Sequence, residues 1–161
     1  TYQVLSDNLK LNQCDSVKII NAAAASFNGT AEFTRVCDNL TGSHLSGAKA
    51  NPYGDLERFP VNVVNIGDIA NEFDLIKIDI EGQEADVLCS IPEKIISKID
   101  IMMEINGEDN AKQIFNYTQQ ANINIFLQNK GWGKATTLSD LPLSHKEGSV
   151  FVSSKESVSW V

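Results

Sequence analysis

The chain has 161 residues, 42% of them hydrophobic and 21% charged, which is the make-up of one ordinary globular domain rather than of a disordered or fibrous segment. Its net charge of -8, with no cluster of Lys or Arg, repels phosphate backbones and anionic bilayers, so neither nucleic acid nor membrane is an expected partner. No apolar run reaches the roughly 18 to 20 residues that a membrane span needs. Cys14, Cys37 and Cys89 are odd in number and widely spaced, without C-x-x-C or Cys/His pairing. That pattern indicates neither a disulfide framework nor a zinc site, and a reducing, cytoplasmic setting fits it. No secretory leader or initiator Met opens the chain, so Thr1 is expected to lie inside a longer product. The N-x-S/T triplets at Asn28, Asn39 and Asn116 are what an Asn-rich chain produces by chance.

In chain order, residues 1 to 13 place Val4, Leu5 and Leu9 on one face, the repeat of an amphipathic helix. "SVKIINAAAA" (16 to 25) and "TAEFTRV" (30 to 36) predict strands around the "FNG" turn, and 38 to 60, with three glycines and two prolines, predicts a long loop. "VNVVNIGDI" (61 to 69) predicts another strand. "FDLIKIDI" (73 to 80) is apolar enough for a strand covered on both faces, as in a parallel sheet. Glu81 to Leu88 predicts a helix whose first turn Gly82 weakens. "KIDIMMEI" (98 to 105) predicts a second buried strand, 107 to 123 a helix and "NIFLQN" (124 to 129) a strand. Residues 131 to 148 predict a loop and "SVFVSS" (149 to 154) the last strand. The alternation from residue 74 onwards predicts an open α/β sheet with right-handed crossovers, in which ligands bind beyond the carboxyl ends of the strands. Asp79, Glu81 and Glu104 then fall on the ligand side.

The segment "DLIKIDIEGQEADVL" (74 to 88) resembles, nearly position for position, the hallmark "DLIKIDVEGAELEVL" of the FkbM-type S-adenosylmethionine-dependent methyltransferases. Further matches follow in register. "YQVLSDNLKLN" (2 to 12) is similar to "FELLKENIALN", "NAAAASFNGTAEF" (21 to 33) to "NAALSDKEGEAEF", "TGSHL" (41 to 45) to "GGSSL", and "IDIMMEING" (99 to 107) to "PVLLIEVHG". Several ordered matches are more specific than one motif. The resemblance implies a Rossmann-like class I methyltransferase sheet, N-terminally truncated, in a single partial domain over residues 1–161. It also implies a glycine-rich loop of the type "VDVGANIGYYS" and a ribose-binding acid in "FEP". Neither occurs here, and the one G-x-G is "GWG" at 131 to 133. Without the first strand the edge of "FDLIKIDI" would stand open, and a homo-oligomer that closes it is an expected partner.

The function implied is methyl transfer from S-adenosylmethionine to a hydroxyl of a sugar or other small molecule. The alternative is an inactive or partial binding module of the same fold, which the missing motifs favour. By resemblance Asp79 lies at the methyl-transfer site and beside the cofactor, although Asp there is also a good helix N-cap. Glu81 is a second catalytic candidate and Glu84 a substrate-binding one, although acids at a helix start are stabilising without any such role. Methyl transfer to a hydroxyl needs a proton acceptor, for which His44 is the candidate, with Ser43 positioning the hydroxyl. Ala23, Ala24 and Ser26 are implied adenine contacts, and Glu104 a substrate contact. No resident metal is expected; a Mg2+-dependent variant would use Asp79 with Glu81 or Glu104. His145, Trp132 and Trp160 are read as surface or packing residues.

Overall fold

The computed structural model describes residues 2–37, 42–48 and 54–158; Asn39, Thr41, Trp160 and the side chain of His145 lie outside the described residues. The chain opens with α1 (Tyr2–Leu11), whose apolar residues are placed as the helical repeat predicts but of which none is buried. β1 (Ala23–Ala25), β2 (Gly29–Val36), β3 (His44–Leu45) and β4 (Leu56–Asn65) form a first sheet in the order β1-β4-β2-β3. β1 runs parallel to β4, and β2 pairs antiparallel with both β4 and β3. A small core of Ala25, Leu45 and Val63, flanked by Ala23, Ala31, Phe33 and Val61, lies on one face of this sheet.

After β4 come α2 (Ile66–Ile69), a 3-10 turn, β5 (Leu75–Ile78), α3 (Glu84–Ser90), α4 (Glu93–Ile96), β6 (Asp100–Met103) and α5 (Glu108–Gln120). β7 (Asn124–Leu127), β8 (Gly133–Lys134) and β9 (Val150–Ser153) complete a second sheet in the order β5-β6-β9-β7-β8. β5 and β6 are parallel, while β9 pairs antiparallel with β6 and β7. The main core sits here: Val87, Leu88 and Ile91 from the α3 region and Ala111 and Ile114 from α5 cover Ile101, Met103, Ile125, Val150 and Val152. Burying a side chain such as Leu88 completely stabilises by about 1.5–3 kcal/mol as an upper estimate. α2 joins the two halves. A Cβ on Gly67 would sit 2.1 Å from the carbonyl oxygen of Ser90, so only glycine lets α2 lie this close to the end of α3.

The mixed α/β class agrees with expectation, but several elements differ. There are two mixed sheets rather than one open sheet. The strand expected over 16 to 25 shrinks to Ala23–Ala25, because only these residues reach a partner strand, and Val17 and Ile20 stay exposed. β3 and the start of β4 fall within the stretch expected to be loop. The strand expected to reach residue 69 stops at Asn65, whose Oδ1 accepts the Gly67 N–H at 3.0 Å and caps α2. β5 is not covered on both faces. Among the described strands it pairs with β6 alone, and Leu75 at its start is 59% exposed.

Tyr117 of α5 donates its hydroxyl proton to the carbonyl of Ile91, tying α5 to the end of α3. Burial, with Cys89 and Glu93 nearby, pushes the phenol up to about 12. The unfolded chain releases this proton near pH 10, so the folded state keeps the proton longer, and stability falls as pH rises from about 10 to 12. Tyr117→Phe is expected to cost about 1–3 kcal/mol at neutral pH by leaving the Ile91 carbonyl unpaired. It should also flatten that alkaline slope; urea unfolding of both forms across the alkaline range checks both effects.

Candidate functional site

β1 and the carboxyl end of β5, from different sheets, meet at a cleft of about 380 Å³. Ala23 and Ala24 of β1 form one wall, Ser43, His44 and Leu45 with Phe33 a second, and Asp79, Ile80, Glu81 and Gln83 from the β5–α3 connection the third. Six of the residues singled out in the sequence, Ala23, Ala24, Ser43, His44, Asp79 and Glu81, thus share one concavity although they are up to 58 positions apart.

The backbone between β5 and α3 explains how the acids are presented. α3 begins at Glu84 with Gln83 as its N-cap, so Asp79 is not a cap and Glu81 is not on the helix. Glu81 and Gly82 both have positive φ, 59° and 109°. The left-handed conformation costs a non-glycine residue about 1–2 kcal/mol, and strain of this kind persists where neighbouring contacts over-determine it. Those contacts come from Glu84, which is 1% exposed. Its Oε1 accepts the Gly82 N–H at 2.9 Å, and its Oε2 accepts from the Asn110 amide at 3.2 Å. The same Asn110 nitrogen lies 3.3 Å from the Gly82 carbonyl oxygen and 2.8 Å from that of Asn106. Glu84 therefore braces the turn from within and does not line the cleft. A Cβ on Gly82 would come within 3.0 Å of the Ala48 carbonyl, so glycine also lets the 42–48 segment pack against this turn.

That segment carries His44 and Ser43. His44 is 2% exposed and forms part of the cleft wall. Its Nδ1 lies 2.8 Å from the Gly42 carbonyl oxygen, which can only accept, so Nδ1 carries the proton and Nε2 is the basic nitrogen of the neutral ring. Ser43 Oγ accepts the Val36 N–H at 3.2 Å, and Thr34 Oγ1 and Ser46 Oγ are 2.7 Å apart, which ties the segment to β2. Asp79 is half exposed and pairs with Lys77 Nζ at 2.9 Å. Ser26, exposed beyond β1, and Glu104, beyond the end of β6, are not among the residues lining the cleft. Among the described residues no group of three His, Cys, Asp or Glu is arranged to hold a metal ion.

A family model described as the methyltransferase FkbM domain matches residues 1–132. The chain belongs to this family. No curated protein and no solved structure matches it. The FkbM match takes in β1 to β7 and every residue of the cleft, while β8 and β9 lie beyond it. Phe33, Leu45, Ile80 and Gln83 of the cleft wall, and Asn110 behind it, are the parts of this candidate site that sequence reasoning missed. Phe33 alternates correctly in "TAEFTRV" but looks like any inward strand residue, and nothing in the sequence ties Asn110 to a turn 28 residues upstream.

Glu84→Ala is expected to destabilise the FkbM domain by about 1–3 kcal/mol, because the Gly82 N–H and the Asn110 amide lose their acceptor. Glu84→Gln, which can still accept from Gly82, should lose less. Urea unfolding of the two variants gives the comparison, and equal stability of Glu84→Ala and the parent would contradict it.

Proposed function

We propose that this FkbM domain binds S-adenosylmethionine at the cleft and transfers its methyl group to a hydroxyl oxygen of a sugar or other small molecule, in a reducing, cytoplasmic setting. The observation that carries this reading is the convergence of Ala23, Ala24, His44, Asp79 and Glu81 on one cleft from two sheets. The cleft volume lies in the range of small-molecule sites. The residues present fit two ends of the cofactor. Ala23 and Ala24 are small enough to leave room for a flat purine, and the β5 exit offers carboxylates near the reacting end.

When bound, S-adenosylmethionine supplies an electrophilic methyl group. The acceptor oxygen would bond to the methyl carbon as the S–CH3 bond breaks and S-adenosylhomocysteine leaves, and would give up its proton to the protein, so the chain's own contribution is positioning and proton removal. His44, held by Gly42 in the tautomer that leaves Nε2 basic, is the proton acceptor in this reading. Asp79 and Glu81 accept hydrogen bonds from the acceptor's other hydroxyls, and Ser43 helps to hold the reacting one. The second reading, a binding module without turnover, is favoured by one observation. The single G-x-G of the chain lies in the turn entering β8, not ahead of a helix where glycines admit a cofactor.

Calorimetric titration with S-adenosylhomocysteine separates the two readings. Saturable binding in the micromolar range, about -8 kcal/mol, is expected for the enzyme, and absence of binding overturns it. His44→Asn keeps a donor for Gly42 but no basic nitrogen. It is expected to lower the methyl-transfer rate about 10²- to 10⁴-fold while leaving S-adenosylhomocysteine affinity unchanged.

A further inference from the structure

We propose that a second cleft, on the aromatic face of β2 and β4, seats the ring of the methyl acceptor, and that this ring is neutral and bears several hydroxyl groups. The inference rests on the methyl-transfer reading for which hydroxyl reacts, but not for the binding itself. The second cleft has a volume of about 580 Å³ and shares Ala23, Phe33 and Ser43 with the first, so a molecule lying in it can extend into the first along that shared wall.

Phe33 and Phe59 are cross-strand partners, with ring centroids 5.8 Å apart and planes tilted by 47°. Both are half-buried, so each ring keeps an open part. The electron-rich face of an aromatic ring attracts the polarised C–H groups of a saturated, oxygen-bearing ring. Around this platform stand Gln3, Asn21 and Arg35, planar groups able to hydrogen-bond hydroxyls in defined directions. Arg35 does not mark an anion site. Its guanidinium lies 5.0 Å from the Phe59 ring centre and donates to Glu57 Oε2 at 2.9 Å, so its charge is already matched on the same face. An acceptor carrying its own carboxylate would have to compete with Glu57, whereas a neutral polyol need not.

The test uses the whole chain with ring-¹³C-labelled phenylalanine, methyl β-D-glucopyranoside as probe and NMR as readout. Saturable shifts of the Phe33 and Phe59 ring signals are expected, in the low-millimolar range that a ligand of about a dozen heavy atoms reaches. Phe59→Leu, which keeps apolar volume without a ring, should weaken binding about three- to ten-fold, and Phe59→Tyr should retain it. The absence of shifts at both rings overturns the proposal, as does unchanged affinity in Phe59→Leu or benzoate binding more tightly than the glycoside. S-adenosylhomocysteine titrations of the same proteins keep the two readings apart. Glycoside shifts without any S-adenosylhomocysteine binding would leave this subsite standing and remove the methyl-transfer reading.

Discussion

The carboxylate of Glu84 accepts hydrogen bonds from the Gly82 backbone and the Asn110 side chain, and this closed pattern holds the β5–α3 turn in a conformation that the chain would not otherwise keep. A left-handed Glu81 costs about 1–2 kcal/mol, while hydrogen bonds to a charged group contribute about 1.5–3 kcal/mol each. The bonds act directly against that strain. Their consequence is geometric: the chain leaves β5, projects Asp79 and Glu81 into the cleft, and only then turns inward to bury Glu84, Ala85 and Leu88. Gly82 extends the effect by admitting the 42–48 segment, so the same turn sets where His44 stands.

Orientation at this site therefore comes from backbone and buried groups rather than from exposed charges. The Lys77–Asp79 pair is half exposed on both sides. Such pairs contribute about 0–1 kcal/mol and are screened by salt. The two sheets contribute differently. The second sheet, with α3 and α5 packed on it, holds most of the core, and its β5 exit is a rigid support for the acids. The first sheet's core cluster among the described residues is small, built on Ala25, Leu45 and Val63, and its face is open and aromatic. No residue of α1 is fully buried, and among the described strands β5 pairs with β6 alone, so apolar groups such as Leu75 remain in water.

How much of this could be read from the residues depended on whether the signal was local. α5 was legible because Ala111, Ile114 and Thr118 recur on one face, and β6 because "IMM" sits between charged punctuation. The acids at the β5 exit were legible from position alone, since a sheet of this class places ligands there. Glu84 was not. An acid in a first helical turn looks the same whether it faces solvent or is buried as a brace, and what distinguishes the two is Asn110, brought in from α5 by tertiary packing. β3 has two residues and follows a Gly-rich run, too short for alternation to register. β1 was overestimated because β-branched residues favour strand only where a partner is within reach, and Val17 and Ile20 have none among the described strands.

Amide hydrogen exchange at Gly82 tests the central claim most directly. This N–H belongs to no helix or strand, so in an ordinary surface turn it would exchange at nearly the rate of an unstructured peptide. If the buried Glu84 carboxylate holds it, exchange at Gly82 is predicted to be at least about 100-fold slower than that rate. Exchange at the unprotected rate, in a chain whose α3 amides are protected, would contradict the account.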